Sequence, residues 1–216
     1  AGGPPSVRLE PFDFRYSSIV FGSPEWCLLR ALVVQMNQHL SGRPGRQGAF
    51  RSVAKRPDAQ AACERTASVL WQALLGARHF GAVGQLSVDE VFSPQQAVID
   101  REILQYVERV LRGMPAGGAP DCALELIRQG VAEGSFVGVP DTTSRFRDFY
   151  AFPELFRHWN LGRWRSEGEA ELLACAWDGA RQEMARSDFA LPADRQRDVE
   201  IVYSRAVRYV GQRRRG

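Results

Sequence analysis

The sequence predicts an α/β fold, with parallel βα units over residues 17–140, a flexible segment at 1–16 and a helical extension over 141–216. Two observations predict it. Short apolar runs suited to strands alternate three times with longer stretches of helical periodicity, and each helix opens on a proline within one or two residues of the strand-side loop. After Thr142 the strand-length runs give way to helical stretches alone. At 216 residues and 44% hydrophobic content the chain supports one sizeable core, so a single domain is expected.

Taken in order, Ser17-Ser-Ile-Val-Phe21 is the first strand, and Ser23-Pro24-Glu25 supplies an N-cap, a first-turn proline and a first-turn acid. The helix that follows carries Leu28, Leu29, Leu32, Val33, Met36 and Leu40 at helical spacing until Ser41-Gly42 and Pro44-Gly45 stop it. Residues 48–53 form a second strand. Pro57-Asp58 then opens a helix through Val69, Leu70, Trp71, Leu74 and Leu75 to Gly76. Residues 77–83 read as a third strand, and Ser93-Pro94 starts a helix with Val98, Ile99, Ile103, Val107, Val110 and Leu111 before Gly113. From Pro120 the pattern changes to a short helix at 121–129, a candidate last strand at 136–140, and helices at 167–187 and 193–212. These last two carry apolar stripes (Leu172, Leu173, Ala176, Met184; Val199, Val202, Tyr203, Val207, Val210) that should pack on something.

Composition excludes several classes. The 28 basic residues include one lysine, Lys55, and against 25 acids the net charge is only +3, with arginines interleaved among Asp and Glu along the helices. That balance describes solvated helix faces and argues against nucleic acid as a partner. The basic run Arg213-Arg-Arg215 reads as a solvated tail, with a phosphate or membrane contact as the other reading. Cys27, Cys63, Cys122 and Cys175 lack zinc spacing, and no signal peptide or apolar run near 18 residues occurs. The expectation is a soluble, reduced, cytoplasmic chain without a metal centre or membrane segment. Ala1-Gly-Gly-Pro-Pro5 reads as a processed start, an edge or the join to an upstream half. No GxSxG, P-loop, HExxH or dinucleotide fingerprint competes for the chemistry.

Four blocks stand out in order and spacing: Phe21-Gly-Ser-Pro-Glu25, Lys55-Arg-Pro-Asp-Ala-Gln-Ala61, Ile99-Asp100 and Phe149-Tyr-Ala-Phe-Pro-Glu-Leu-Phe156. Together they resemble the C-terminal half of the trimethylamine methyltransferase family, whose members are corrinoid-dependent (βα)8-barrel enzymes about twice this length. The resemblance implies a partial TIM-type barrel and methyl transfer from a tertiary or quaternary amine to the cobalt of a corrinoid. That cobalamin would be carried by a partner corrinoid protein and not bound directly by this chain. Two departures stand against it. Relatives have a glycine run where this chain has Gln47-Gly-Ala-Phe-Arg-Ser-Val53, so Phe50 and Arg51 would narrow a glycine-shaped pocket. Relatives also have Gly-His-x-His-Thr where this chain has Gly138-Val-Pro-Asp-Thr142. Some methylamine-specific members carry pyrrolysine in the glycine-rich region; here Arg51 or Ser52 occupies that neighbourhood.

Under the resemblance, the candidate substrate-binding residues are Arg51, Lys55, Asp58, Asp89, Glu90 and Phe136. Each has a plainer reading beside it. Lys55 lies at a strand end, where barrel enzymes place functional groups, and is equally an exposed loop lysine. Asp58 sits where a first-turn acid complements a helix dipole. His79 reads as an interstrand histidine before a catalytic one. Asp89 and Glu90, after the third strand, are the best-placed carboxylates for a cation, or solvated loop acids. Phe136, Phe149, Tyr150, Phe152, Phe156, Trp159 and Trp164 suit an aromatic box for a quaternary ammonium or a packed interface. A parallel half-barrel leaves open edges, so the chain is expected to pair with a missing N-terminal half-barrel subunit or to form a homo-oligomer. Two functions follow: part of a corrinoid-dependent methyltransferase, or a degenerate relative serving as a structural or regulatory subunit.

Overall fold

The computed structural model describes residues 7–43, 47–114 and 123–213. Expectations placed on residues 1–6, Pro44-Gly45, residues 120–122 and the terminal Arg214 and Arg215 lie outside the described residues. The elements in chain order are β1 (Phe12–Asp13), β2 (Ser18–Ile19), α1 (Pro24–Ser41), α2 (Ala59–Leu74), β3 (Gln85–Leu86), β4 (Val91–Phe92), α3 (Pro94–Arg112), α4 (Ala123–Ala132), α5 (Pro140–Phe149), α6 (Leu161–Ser166), α7 (Leu172–Arg186) and α8 (Ala193–Arg213). Two compact units result, residues 1–180 and 181–216.

The helix starts follow their local chemistry. Ser23 Oγ accepts from Trp26 N at 3.1 Å, Asp58 accepts from Gln60 N and Ala61 N, and Ser93 Oγ accepts from Gln96 N, which satisfies amide donors left open in each first turn. At the other end of α1, Gly42 adopts φ +70° and donates its N–H to Gln38. Such a left-handed stop is easy for glycine.

The core of the first unit lies between α2 and α3. Val69 and Ala73 of α2 meet Ile99, Ile103 and Val107 of α3, and Ala49, Phe50, Leu155 and Ala176 close around them. The spacing Ile99, Ile103, Val107 places all three on one face of α3. On the other side of α2, the indole N–H of the buried Trp26 donates to Ser68 Oγ at 3.2 Å and so ties α1 to α2.

The fold is mixed and helix-rich, and its strands differ from the expectation. Residues 17–21 contribute only β2, paired antiparallel with β1, and β3 pairs antiparallel with β4. Residues 48–53 and 77–83 do not form ladders; a single parallel bridge joins Gln47 to Phe80. Backbone bonds nevertheless hold the two segments side by side: Gln47 N to His79 O, Gly81 N to Gln47 O, Phe50 N to Gly81 O, Ser87 N to Ala54 O and Val88 N to Ser52 O. A turn closed by Arg51 N to Gly48 O interrupts the pairing, so the regular hydrogen-bond repeat of a sheet never develops. Residues 136–140 are also not a strand, since Val139 caps α5, which opens on Pro140.

Two stripes also turn out differently. In α1 the buried face is Trp26, Arg30, Val33, Val34 and Asn37, whereas Leu28, Leu32, Met36 and Leu40 are exposed. The polar members of the inner face have work to do, because Asn37 pairs with the backbone of Val7 and Arg30 with that of Leu9. In α8, Val199, Val202, Tyr203, Val207 and Val210 are all exposed. The expected helix at 167–187 begins only at Leu172: α6 ends at Ser166, and a turn with Gly168 at φ +81° separates it from α7.

Candidate functional site

The turn within segment 47–54 and the loop after segment 79–88 bring Arg51 and Asp89 together. Arg51 Nε lies 3.0 Å from Asp89 Oδ2, and the guanidinium sits 4.8 Å from the centre of the Phe21 ring. Asp89 ends a run of three non-glycine residues in the left-handed region, with φ of +51° at Ser87, +58° at Val88 and +69° at Asp89. Such backbone is costly, particularly at β-branched Val88, and persists only where the surroundings enforce it. Here Ser87 and Val88 are tied by their amides to Ala54 and Ser52, and Ser87 Oγ donates to the Glu90 carboxylate at 3.2 Å.

One buried carboxylate, Asp100, and one partly buried one, Glu64, brace these loops from below. Asp100 of α3 accepts from Arg65 Nη1 at 2.7 Å, from Gly84 N at 2.7 Å and from Gln96 Nε2 at 2.8 Å, and Arg65 also donates to the carbonyl of Gln85. Both side chains of the pair are wholly buried. Burial raises Asp100 to about 6, against the pull of Arg65, the Gly84 amide and Gln96, and burial likewise lowers Arg65. The pair clamps α2 and α3 to the chain just before the strained loop. Glu64 of α2 does the same for the first segment: one oxygen accepts from Ser52 Oγ and Val53 N, the other from Gln60. Gly22 packs directly over it at φ +73°, where a Cβ would stand 2.7 Å from Glu64 Cβ.

Arg51 also lines a polar cleft of about 320 Å³, shared with Arg8, Glu10, Arg30, Gln47 and Gln85. Arg30 reaches it from α1, bonded to Glu10 and to Leu9 O at 2.6 Å each and stacked 4.0 Å over Trp26. Burial lowers the Arg30 pKa first of all; Glu10 opposes this and Arg51 and Arg8 add to it. The cleft has the volume of a small molecule and a polar, charged lining. Among the described residues no cluster of His, Cys, Asp and Glu could hold a metal ion.

Of the residues anticipated from sequence, the structure joins Arg51 and Asp89. Glu90 lies on the same loop. Lys55 is exposed and donates to the carbonyl of Val53, and Asp58 caps α2 while lying 3.6 Å from Arg56. Phe136 packs over Gly130 of α4, so closely that a Cβ there would fall 2.2 Å from the ring. Phe50 does not narrow the cleft as expected; it is buried in the core, because its side chain turns toward α2 and α3. Arg30, Glu64 and Arg65 were not anticipated, and Asp100 was legible only as part of a block. Their one signal is charge inside an otherwise apolar or alanine-rich helical face, as where Asp100 falls between Ile99 and Ile103.

With that geometry in place, comparison with known proteins identifies the lineage. The chain is 30% identical over 200 residues to the trimethylamine methyltransferase MttB2 of Methanosarcina mazei, covering 91% of this chain and 39% of that protein. It is 28% identical over 196 residues to MttB of Methanosarcina barkeri, covering 90% and 39%, and 31% identical over 165 residues to MttB of Methanosarcina thermophila, covering 76% and 34%. The chain thus spans about two fifths of the length of these relatives or less. The trimethylamine methyltransferase (MTTB) profile matches residues 9–205, which include the Arg51–Asp89 pair, Glu64 and Asp100, and the chain belongs to that family.

Proposed function

We propose that this chain forms part of a methyltransferase that moves a methyl group from a tertiary or quaternary amine to a corrinoid carried by a partner protein. The observation that carries the reading is the Arg51–Asp89 pair, with Asp89 held on left-handed backbone, in a family-matched region. In this reading segments 47–54 and 79–83 are neighbouring strands of a (βα)8 barrel, and residues 17–140 are its βα units. The loops after them form the mouth where such barrels place their chemistry. Arg51 and Asp89 offer opposite charges side by side as handles that orient a small charged substrate. Lys55, Asp58, Glu90 and Phe136 belong to the surrounding rim. Orientation is the protein's main contribution to a methyl transfer, since the reacting bonds must be held in line.

The cleft is far too small for a corrin ring, so the ring stays with the partner and none of this chain's residues is assigned to it. The family's corrinoid supplies a cobalt centre that accepts the methyl group. The exposed Leu28–Leu32–Met36–Leu40 face of α1 and the one-sided edge of segment 47–54 support a further partner, either a chain completing the barrel or a second copy. A non-catalytic subunit is the weaker reading, because Phe50 leaves the cleft open. No described helix is long and apolar enough to cross a membrane, in keeping with a cytoplasmic site of action.

The test is demethylation of trimethylamine and of a quaternary amine, followed by proton NMR, with the protein purified from its own source together with every chain that accompanies it. Loss of a substrate methyl group that slows at least tenfold in D89N supports the reading. No turnover of any methylated amine in the presence of a reduced corrinoid protein would sink it.

A further inference from the structure

We infer that the cleft between Arg8, Arg30 and Arg51 is a binding site for a small oxyanion, a carboxylate or a phosphate group. This goes beyond methyl transfer and is tested by binding alone. The starting point is an imbalance of charge: the guanidinium groups of Arg8, Arg30 and Arg51 line about 320 Å³ of polar space with a single carboxylate, Glu10, and only Asp89, outside the lining, offsets Arg51. They are close enough that Arg8 and Arg51 both disfavour the charged form of Arg30. Arg30 is only 5% exposed, and its Nε is buried without a hydrogen-bond partner; the Nε of Arg51, though near Asp89, is not aligned to donate to it. Glu10 is already committed to Arg30 through one oxygen at 2.6 Å.

Bringing three like charges together while stripping water from one of them is unfavourable unless something of opposite charge occupies the space between. Guanidinium groups meet planar or tetrahedral oxyanions with paired N–H donors, which is the geometry that carboxylates and phosphates accept best. The lining is net positive and the Phe21 ring is already covered by Arg51, so this cleft suits an anionic group, whereas a substrate's ammonium would face Asp89, which does not line it. The volume suits a small molecule and not a polymer backbone. Gly48 on the wall helps to hold the shape: a Cβ there would press within 3.3 Å of the Arg51 side chain.

Isothermal titration with inorganic phosphate and, separately, with acetate, each at constant ionic strength in chloride, tests the site on the whole chain. Saturable one-to-one binding of at least one of them is expected. Phosphate alone would assign a phosphoryl-bearing ligand, acetate alone a carboxylate-bearing one, and both a general oxyanion site. Removing one charged donor should weaken binding about tenfold or more in R51Q and in R8Q. E10Q, which removes the competing negative charge, should tighten it. Arg51 and Arg8 are partly exposed, so these variants fold even if R30Q does not. Failure of both anions to bind above chloride, or unchanged affinity in R51Q and R8Q, overturns the proposal.

Discussion

Replacing Arg65 with Met probes the clamp beneath the site. Met fills much of the same volume but removes the donors to Asp100 and to the Gln85 carbonyl, leaving a fully buried carboxylate with only Gly84 N and Gln96. Breaking a buried pair by deleting one partner costs about 3–5 kcal/mol. For a domain of this size that corresponds to a fall in Tm of roughly 6–20 °C. The cost should also depend on pH, with a sign fixed by Asp100. Its folded pKa, about 6, already lies above the ordinary 3.8, so the stability linked to this group is fully present below pH 4 and is lost as the pH rises through 6. Arg65 holds that pKa down; without it the loss continues to higher pH, and the gap between R65M and the parent should be wider at pH 8 than at pH 4. Urea denaturation followed by circular dichroism at both values measures it. A penalty below about 1 kcal/mol at pH 8, or one larger at pH 4, would refute the reasoning.

Other substitutions follow from the same geometry. Gly22→Ala puts a Cβ against Glu64 in left-handed backbone and should cost about 2 kcal/mol or more by urea denaturation. In the unmodified chain, two pKa units of difference at Asp100 amount to about 3 kcal/mol of stability lost between pH 4 and 7, a slope that the D100N variant should lack. Leu28→Glu with Leu32→Glu should change the chain's own stability by no more than about 0.5 kcal/mol, both being exposed, while size-exclusion chromatography shows loss of any partner on that face.

What was legible in the sequence was local. The caps at Ser23, Asp58 and Ser93 and the glycine stop at Gly42 were readable because each depends on a few neighbouring residues, and the structure places all of them. The strands at 48–53 and 77–83 were not, because a ladder depends on neighbours on both sides. Here each segment is paired mainly with the other and broken by the turn at Gly48–Arg51. The inner face of α1 misled for a related reason: Arg30 and Asn37 point inward to bond the backbone of residues 7–9, and four apolar residues are left outside. At the site, Arg51 was singled out by its place in the family's glycine-rich region and Asp89 as a carboxylate in the loop after the third strand. The Arg65–Asp100 clamp joins residues 35 apart and leaves no spacing to read.

Native mass spectrometry of the protein isolated from its own source tests whether this chain works with other proteins in the proposed corrinoid-dependent methyl transfer. The expected result is a complex containing a cobalamin-bearing protein or a chain that completes the barrel. A stable place in an unrelated complex without corrinoid would count against it.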